Sequence, residues 1–294
     1  MTAVPESRHR RTWIAGPLAM AASLALAAAV FGAQPPPAPP GDPAPAPEPG
    51  DPAAAAAPGA ATAAEPLPAA APILARYVDA LGGEAAIRRH HSVTWKGTFS
   101  MPGQGLEGDL VLQASAPNLF RLEIVAEGIG TISQGYDGKV GWSDNMMTGP
   151  TLTKGSELEL LAIQSDFYVD LHYAEHYPEM TVVAKESFGG EPCWKLSIKT
   201  AGGLEMFPYF SEASGLLVGV EGDLPTAMGE VWVRTSIGGY RELDGRLYPT
   251  ENRQEVMGTQ QVITLREADF EALAPEVFAM PVAIRTLVDG QHVE

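Results

Sequence analysis

Few residues in this chain have the type and spacing that chemistry needs. His172-Tyr173-Ala174-Glu175-His176 has the order of an inverted zinc-protease motif, H-x-x-E-H. On a helix, histidines four apart share one face and could hold zinc while Glu175 acts as base. Pro178 pushes Tyr177 out of helical geometry, however, so His176 falls in a fraying last turn. A third ligand would have to come from a following helix, and the downstream sequence reads as strands. The two histidines are therefore read as solvated helix-end residues, with a metal-dependent hydrolase at His172, Glu175 and His176 as the remotest alternative. His90-His91 has no carboxylate nearby and reads as surface. Gly103-Gln104-Gly105-Leu106-Glu107-Gly108 matches G-x-G-x-x-G, but a strand follows it where dinucleotide binding needs a helix, so it reads as a hairpin loop. No G-x-S-x-G elbow, Walker loop or EF-hand is present. The single cysteine, Cys193 beside Trp194, allows no internal disulfide and reads as a small core residue. No catalytic residue, metal or cofactor is assigned.

What remains is an apolar constellation. Trp95, Phe99, Leu110, Leu112, Phe120, Leu122, Trp142, Trp194, Leu196, Phe207 and Trp232 fall in strand-like segments, with Met146 in a loop beside one of them. Aromatic rings supply large apolar area and methionine adapts its shape, so these twelve are candidate cavity-lining residues for a greasy ligand. Plain core packing is the competing reading.

Those residues must be positioned by strands. Ile73, Leu74, Tyr77, Val78 and Leu81 recur at helical spacing after Pro72, and Gly82-Gly83 ends the helix, which can resume over 84–89. The period then switches to two. Val93, Trp95, Gly97 and Phe99 alternate with polar residues, as do Leu110 with Leu112 and Phe120 with Leu122, Ile124 and Ala126. Asp137-Gly138 marks a hairpin between a strand ending at Tyr136 and one over 139–143. A second helical stretch is predicted from Ser156 as N-cap through Phe167 and Leu171 to Pro178. Strands resume over 181–186, 193–199, 204–211, 216–221, 229–237, 246–256 and 260–267. The fold class is mainly β (α+β): roughly eleven strands in an unclosed antiparallel β-barrel, wrapped around or capped by two helical segments. An antiparallel sheet with an uncovered apolar face must curl, and a curled sheet makes a hollow.

The ends of the chain indicate its compartment. Arg8, Arg10 and Arg11 precede an uncharged apolar run over 13–31, so residues 1–33 read as an export signal or an N-terminal anchor. The Arg10-Arg11 pair also resembles a twin-arginine signal. Residues 34–71, almost wholly Pro, Ala, Gly, Asp and Glu, read as an extended linker. The folded domain is assigned to 72–286 and a tail to 287–294. The chain has 294 residues and a net charge of -17. That excess of carboxylates argues against nucleic acid and against adsorption on anionic lipid headgroups, and it predicts a monomer.

Several runs carry a family resemblance. Ala116-Pro117-Asn118-Leu119-Phe120, followed by Tyr136-Asp137-Gly138-Lys139 and Trp142, resembles the LolA/LolB-like periplasmic lipoprotein-carrier superfamily. The runs over 77–83 and 209–217, and the close Phe278-Ala279-Met280-Pro281, resemble its wider relatives of unassigned function. The resemblance covers about 73–285. It implies an unclosed barrel capped by helices, binding acyl chains in its hollow without catalysis. In the carriers an arginine stands immediately before the Pro-Asn-Leu-Phe run and is implicated in passing cargo onward. Here that place is Ala116, with Arg121 nearby as a substitute.

These readings converge on an exported, non-enzymatic protein of the periplasm that carries or senses a lipid, lipoprotein acyl chain or other apolar ligand. The alternative is an envelope protein-interaction module that docks a partner on its curved sheet or sheet edge.

Overall fold

The computed structural model describes residues 66–226 and 229–291. The segment over 1–33 expected to be an export signal or N-terminal anchor, most of the expected 34–71 linker and the last residues of the expected tail lie outside them.

Helix α1, Ala70–Ala80, turns Ile73, Leu74, Tyr77 and Val78 inward, as their spacing requires. It stops at the glycine pair, where Gly83 N–H bonds back to the Val78 carbonyl at 2.9 Å. One short turn, α2 (Glu84–Ile87), follows. The chain then forms β1 (Ser92–Met101), β2 (Leu106–Ser115), β3 (Leu119–Ala126), β4 (Gly130–Tyr136), β5 (Gly141–Asp144) and β6 (Thr151–Leu152). A helical interruption comes next: α3 (Gly155–Ser165), a 3-10 turn (Val169–Leu171) and α4 (Tyr173–His176). After it come β7 (Glu179–Phe188), β8 (Glu191–Lys199), β9 (Glu205–Ser211), β10 (Leu217–Thr226), β11 (Gly229–Gly238), β12 (Arg241–Leu243), β13 (Arg246–Tyr248), β14 (Glu251–Val256) and β15 (Thr259–Asp269). Helix α5 (Val282–Gln291) closes the described chain.

Among the described residues, thirteen strands form one antiparallel sheet in the order β6-β5-β4-β3-β2-β1-β15-β14-β11-β10-β9-β8-β7. Its end strands β6 and β7 do not pair, so the barrel is unclosed; β12 and β13 form a separate ribbon. Two runs of neighbouring strands meet where β1 pairs with β15. There the register slips between Lys96 and Gly97, a bulge that bends the strand.

Helix α3 fills the concave side. Leu160 and Ile163 join a core built on α1 and the second run of strands, whereas Leu161, Leu158 and Ala162 pack on β1–β4. One helix therefore bridges both halves of the sheet.

Four details depart from the sequence reading. The expected helical stretch from Ser156 through Phe167 and Leu171 to Pro178 begins at Gly155, with Lys154 as an N-cap that makes no side-chain bond, and breaks after Ser165. The break has a local cause: Asp166 Oδ1 accepts the Tyr168 N–H at 2.9 Å, and Phe167 N–H is taken by the Pro117 carbonyl at 2.9 Å. The expected strand over 246–256 splits at Pro249, which cannot donate to a ladder, into β13 and β14 in different sheets. Helix α5 has no counterpart in the sequence reading; it runs across residue 286, where the folded domain is expected to end, and buries Ile284. No helix among the described residues is long and apolar enough to cross a membrane.

Candidate functional site

Strand alternation decides which candidates face the hollow. On β1–β3, Val93, Trp95, Leu112, Ala114 and Phe120 point to the concave side, and the C-terminal end of α3 does not fill the space above them. Gln164, Ser165, Asp166 and Phe167 from that end, Val169 and Asp170 from the 3-10 turn, and Arg246, Tyr248 and Pro249 from the small ribbon complete a cavity of about 100 Å³. Trp95 meets Tyr248 edge to face, ring centroids 5.6 Å apart.

Of the twelve sequence candidates, Trp95, Leu112 and Phe120 line this cavity. Phe99, Leu110 and Leu122 belong to the same buried cluster but pack around it. Trp142 is fully buried against Gly135. Leu196 lies in the other core cluster, with half-buried Trp194 against it. Phe207 alternates with Met206 and Pro208, so it faces the other side of the sheet beside Phe188, Cys193 and Tyr209. Trp232, opposite in parity to buried Val233, and the loop residue Met146 are exposed, at 50% and 78%. Arg121 also misses the hollow: it bonds the Val277 carbonyl and Glu123 on the far face of β3.

The cavity's polar feature is a buried ion pair that the sequence reading does not contain. Arg246 donates to Asp170 Oδ2, and its guanidinium lies over the Tyr248 ring at 4.5 Å. Asp170 is 1% exposed and Arg246 6%. Burial pushes the Asp170 carboxyl up to about 6, with Arg246 pulling the other way. Asp170 Oδ1 and Arg246 Nε have no hydrogen-bond partner among the described residues. The sequence signal for this pair is a charged residue inside an apolar run, Val169-Asp170-Leu171.

A second, wider pocket of about 470 Å³ opens on the other side of Asp166, lined by Pro117, Asn118, Glu159, Ala162, Ile163, His172, Glu175, His176 and Ala201. Here the histidines expected to be solvated are both engaged. His172 Nδ1 lies 2.6 Å and His176 Nε2 2.8 Å from the same oxygen, Asp166 Oδ2. Burial raises the Asp166 pKa, but hydrogen bonds from His176, His172 and the Tyr168 backbone outweigh it and hold it below the ordinary aspartate value. Elsewhere His90 stacks on Phe270 and His91 bonds Tyr168, so that pair forms no common site. Cys193 is buried, and burial pushes its thiol pKa up, the reverse of an activated nucleophile.

No protein-family model and no curated protein matches this chain. Solved structures with a similar fold do exist. A LolA superfamily protein, NE2245 from Nitrosomonas europaea, aligns over 73% of this chain and 99% of its own at 12% identity, with a TM-score of 0.49. A DUF1329 family protein from Desulfovibrio piger aligns over 71% and 96%, also at 12% identity and a TM-score of 0.49. The likeness is one of fold and extends to no ligand or residue role.

Proposed function

We propose that this chain is an exported, non-enzymatic binding protein that takes an apolar or amphipathic ligand between the concave sheet and segment 155–176. The observation that carries the reading is the cavity under that segment, apolar on its sheet side and holding one buried ion pair with unmatched polar atoms. A ligand with a hydrocarbon body and a polar head complements both features. The cavity of about 100 Å³ is smaller than the roughly 150 Å³ apolar cavity that admits benzene. A full acyl chain therefore enters only if segment 155–176 lifts, at the break that Asp166 creates. Burying about 14 methylenes releases on the order of 11 kcal/mol, which offsets part of the packing given up by Leu160, Leu161, Ile163, Val169 and Leu171 when that segment lifts. The cationic start and apolar run over 8–31 support export to the periplasm.

Organic extraction of the purified chain followed by mass spectrometry tests this: a co-purifying lipid is expected, and a clean extract together with no effect of added fatty acid on Trp fluorescence overturns it. Ala114 sits on the cavity wall, so Ala114→Phe is expected to weaken fatty-acid binding about 100-fold by occupying the space. Overpacking should cost only about 1–3 kcal/mol of stability. Binding titrations of wild type and variant, with a melting curve as the folding control, check it; unchanged affinity would place the ligand elsewhere.

A second reading rests on β7, a ten-residue edge strand with Val183 exposed at 43%. An extended segment of an envelope partner could add to this edge by main-chain pairing. Crosslinking that maps to residues 179–188 favours this reading.

A further inference from the structure

We propose that Asp166, His172 and His176 bind one divalent transition-metal ion, zinc being the best match, and that the ion staples α4 to the C-terminal end of α3. Two imidazole nitrogens and a carboxylate oxygen lie within 4.8 Å of one another. Tetrahedral zinc, bonded at about 2.0–2.1 Å, needs its donor atoms roughly 3.3 Å apart. The two nitrogens sit 2.6 and 2.8 Å from Asp166 Oδ2, so small side-chain rotations open the cluster to admit the ion.

Three further observations point to a ligand here. The histidines are four residues apart across a single turn of helix, the spacing that sets two rings on one side. The other carboxylate oxygen is held by the Tyr168 N–H at 2.9 Å, the kind of outer partner that orients a metal ligand. The site also faces solvent through the wider pocket, whose wall carries Glu159 and Glu175. Those carboxylates favour a cation, and the open side leaves the fourth position to water. Nitrogen–oxygen donor sets of this kind take zinc readily and cobalt as its spectroscopic substitute.

The consequence is mechanical. Asp166 belongs to both pockets, and the ion would tie the break after α3 to the turn of α4. Metal binding then restrains the segment that covers the apolar cavity.

Calorimetric titration of the full, chelator-stripped chain with Zn2+ tests the site. One ion per chain is expected, with affinity weakened at least 100-fold by His172→Ala or His176→Ala, about 10-fold or more by Asp166→Asn, and not at all by His91→Ala. Co2+ should give visible ligand-field bands that the same variants abolish. Circular dichroism controls for folding, and His176→Gln repeats the test if His176→Ala unfolds. Zinc should also slow amide hydrogen exchange over 166–176. No zinc uptake at micromolar concentration, or uptake that survives both histidine substitutions, overturns the site; uptake without slowed exchange overturns the staple.

Discussion

Asp170→Ala is expected to lower the unfolding free energy at neutral pH by about 3–5 kcal/mol, because it leaves Arg246 charged, buried and unpaired. Replacing both partners with apolar side chains, Asp170→Leu with Arg246→Met, should recover most of that loss and can exceed wild type, since two charges no longer have to be desolvated. The pH dependence has a definite sign. The folded-state pKa of about 6 lies above the 3.8 of an ordinary aspartate, so the folded form holds this proton more tightly. The group's contribution is therefore greatest below about pH 4 and declines as pH rises through 6, by about 3 kcal/mol in all. Asp166, whose pKa is lowered, acts oppositely: its contribution is lost only as pH falls below the ordinary aspartate range. Denaturant melts of wild type and Asp170→Asn between pH 4 and 7 separate the two. A wild-type slope that persists in Asp170→Asn would assign it to another group.

Gly97→Ala is expected to cost about 3 kcal/mol or more and to reduce ligand uptake. A Cβ on Gly97 would overlap the Thr264 carbonyl oxygen and lie 2.9 Å from Leu265 Cα, both backbone atoms that cannot rotate aside. The glycine stands at the register slip where β1 meets β15, the joint at which the two runs of strands bend towards each other. Straightening this joint splays the walls that carry Trp95 and Phe120. Urea unfolding and fatty-acid titration check both parts, and a fully stable Gly97→Ala variant would mean the strands part without strain.

Much of this fold is legible because strand alternation is a short-range signal. Val93, Trp95 and Phe99 on β1 and Phe120, Leu122 and Ile124 on β3 announce their buried faces directly. The same rule separates Phe207 and Trp232 from the hollow, since their neighbours Met206 and Val233 hold the inward parity. Grouping aromatics by strand membership alone conceals that difference. The break after Ser165 is hidden for another reason: it depends on the Pro117 carbonyl, distant in sequence. Arg246 and Asp170 are 76 residues apart, so neither announces the other. The metal-site candidate is half legible: His172 and His176 stand out by spacing, but the zinc-protease order places the third donor downstream, whereas Asp166 lies upstream across the helix break.

Photolabelling most directly tests whether the space under segment 155–176 receives hydrocarbon. A fatty acid carrying a photoreactive group at its tail would be bound, irradiated and mapped by peptide mass spectrometry. Adducts concentrated on Trp95, Leu112, Phe120 and Phe167, and displaced by unlabelled fatty acid, are the result expected of a ligand-binding hollow. Adducts confined to exposed positions such as Met146 and Trp232, or labelling that excess fatty acid leaves unchanged, would contradict it.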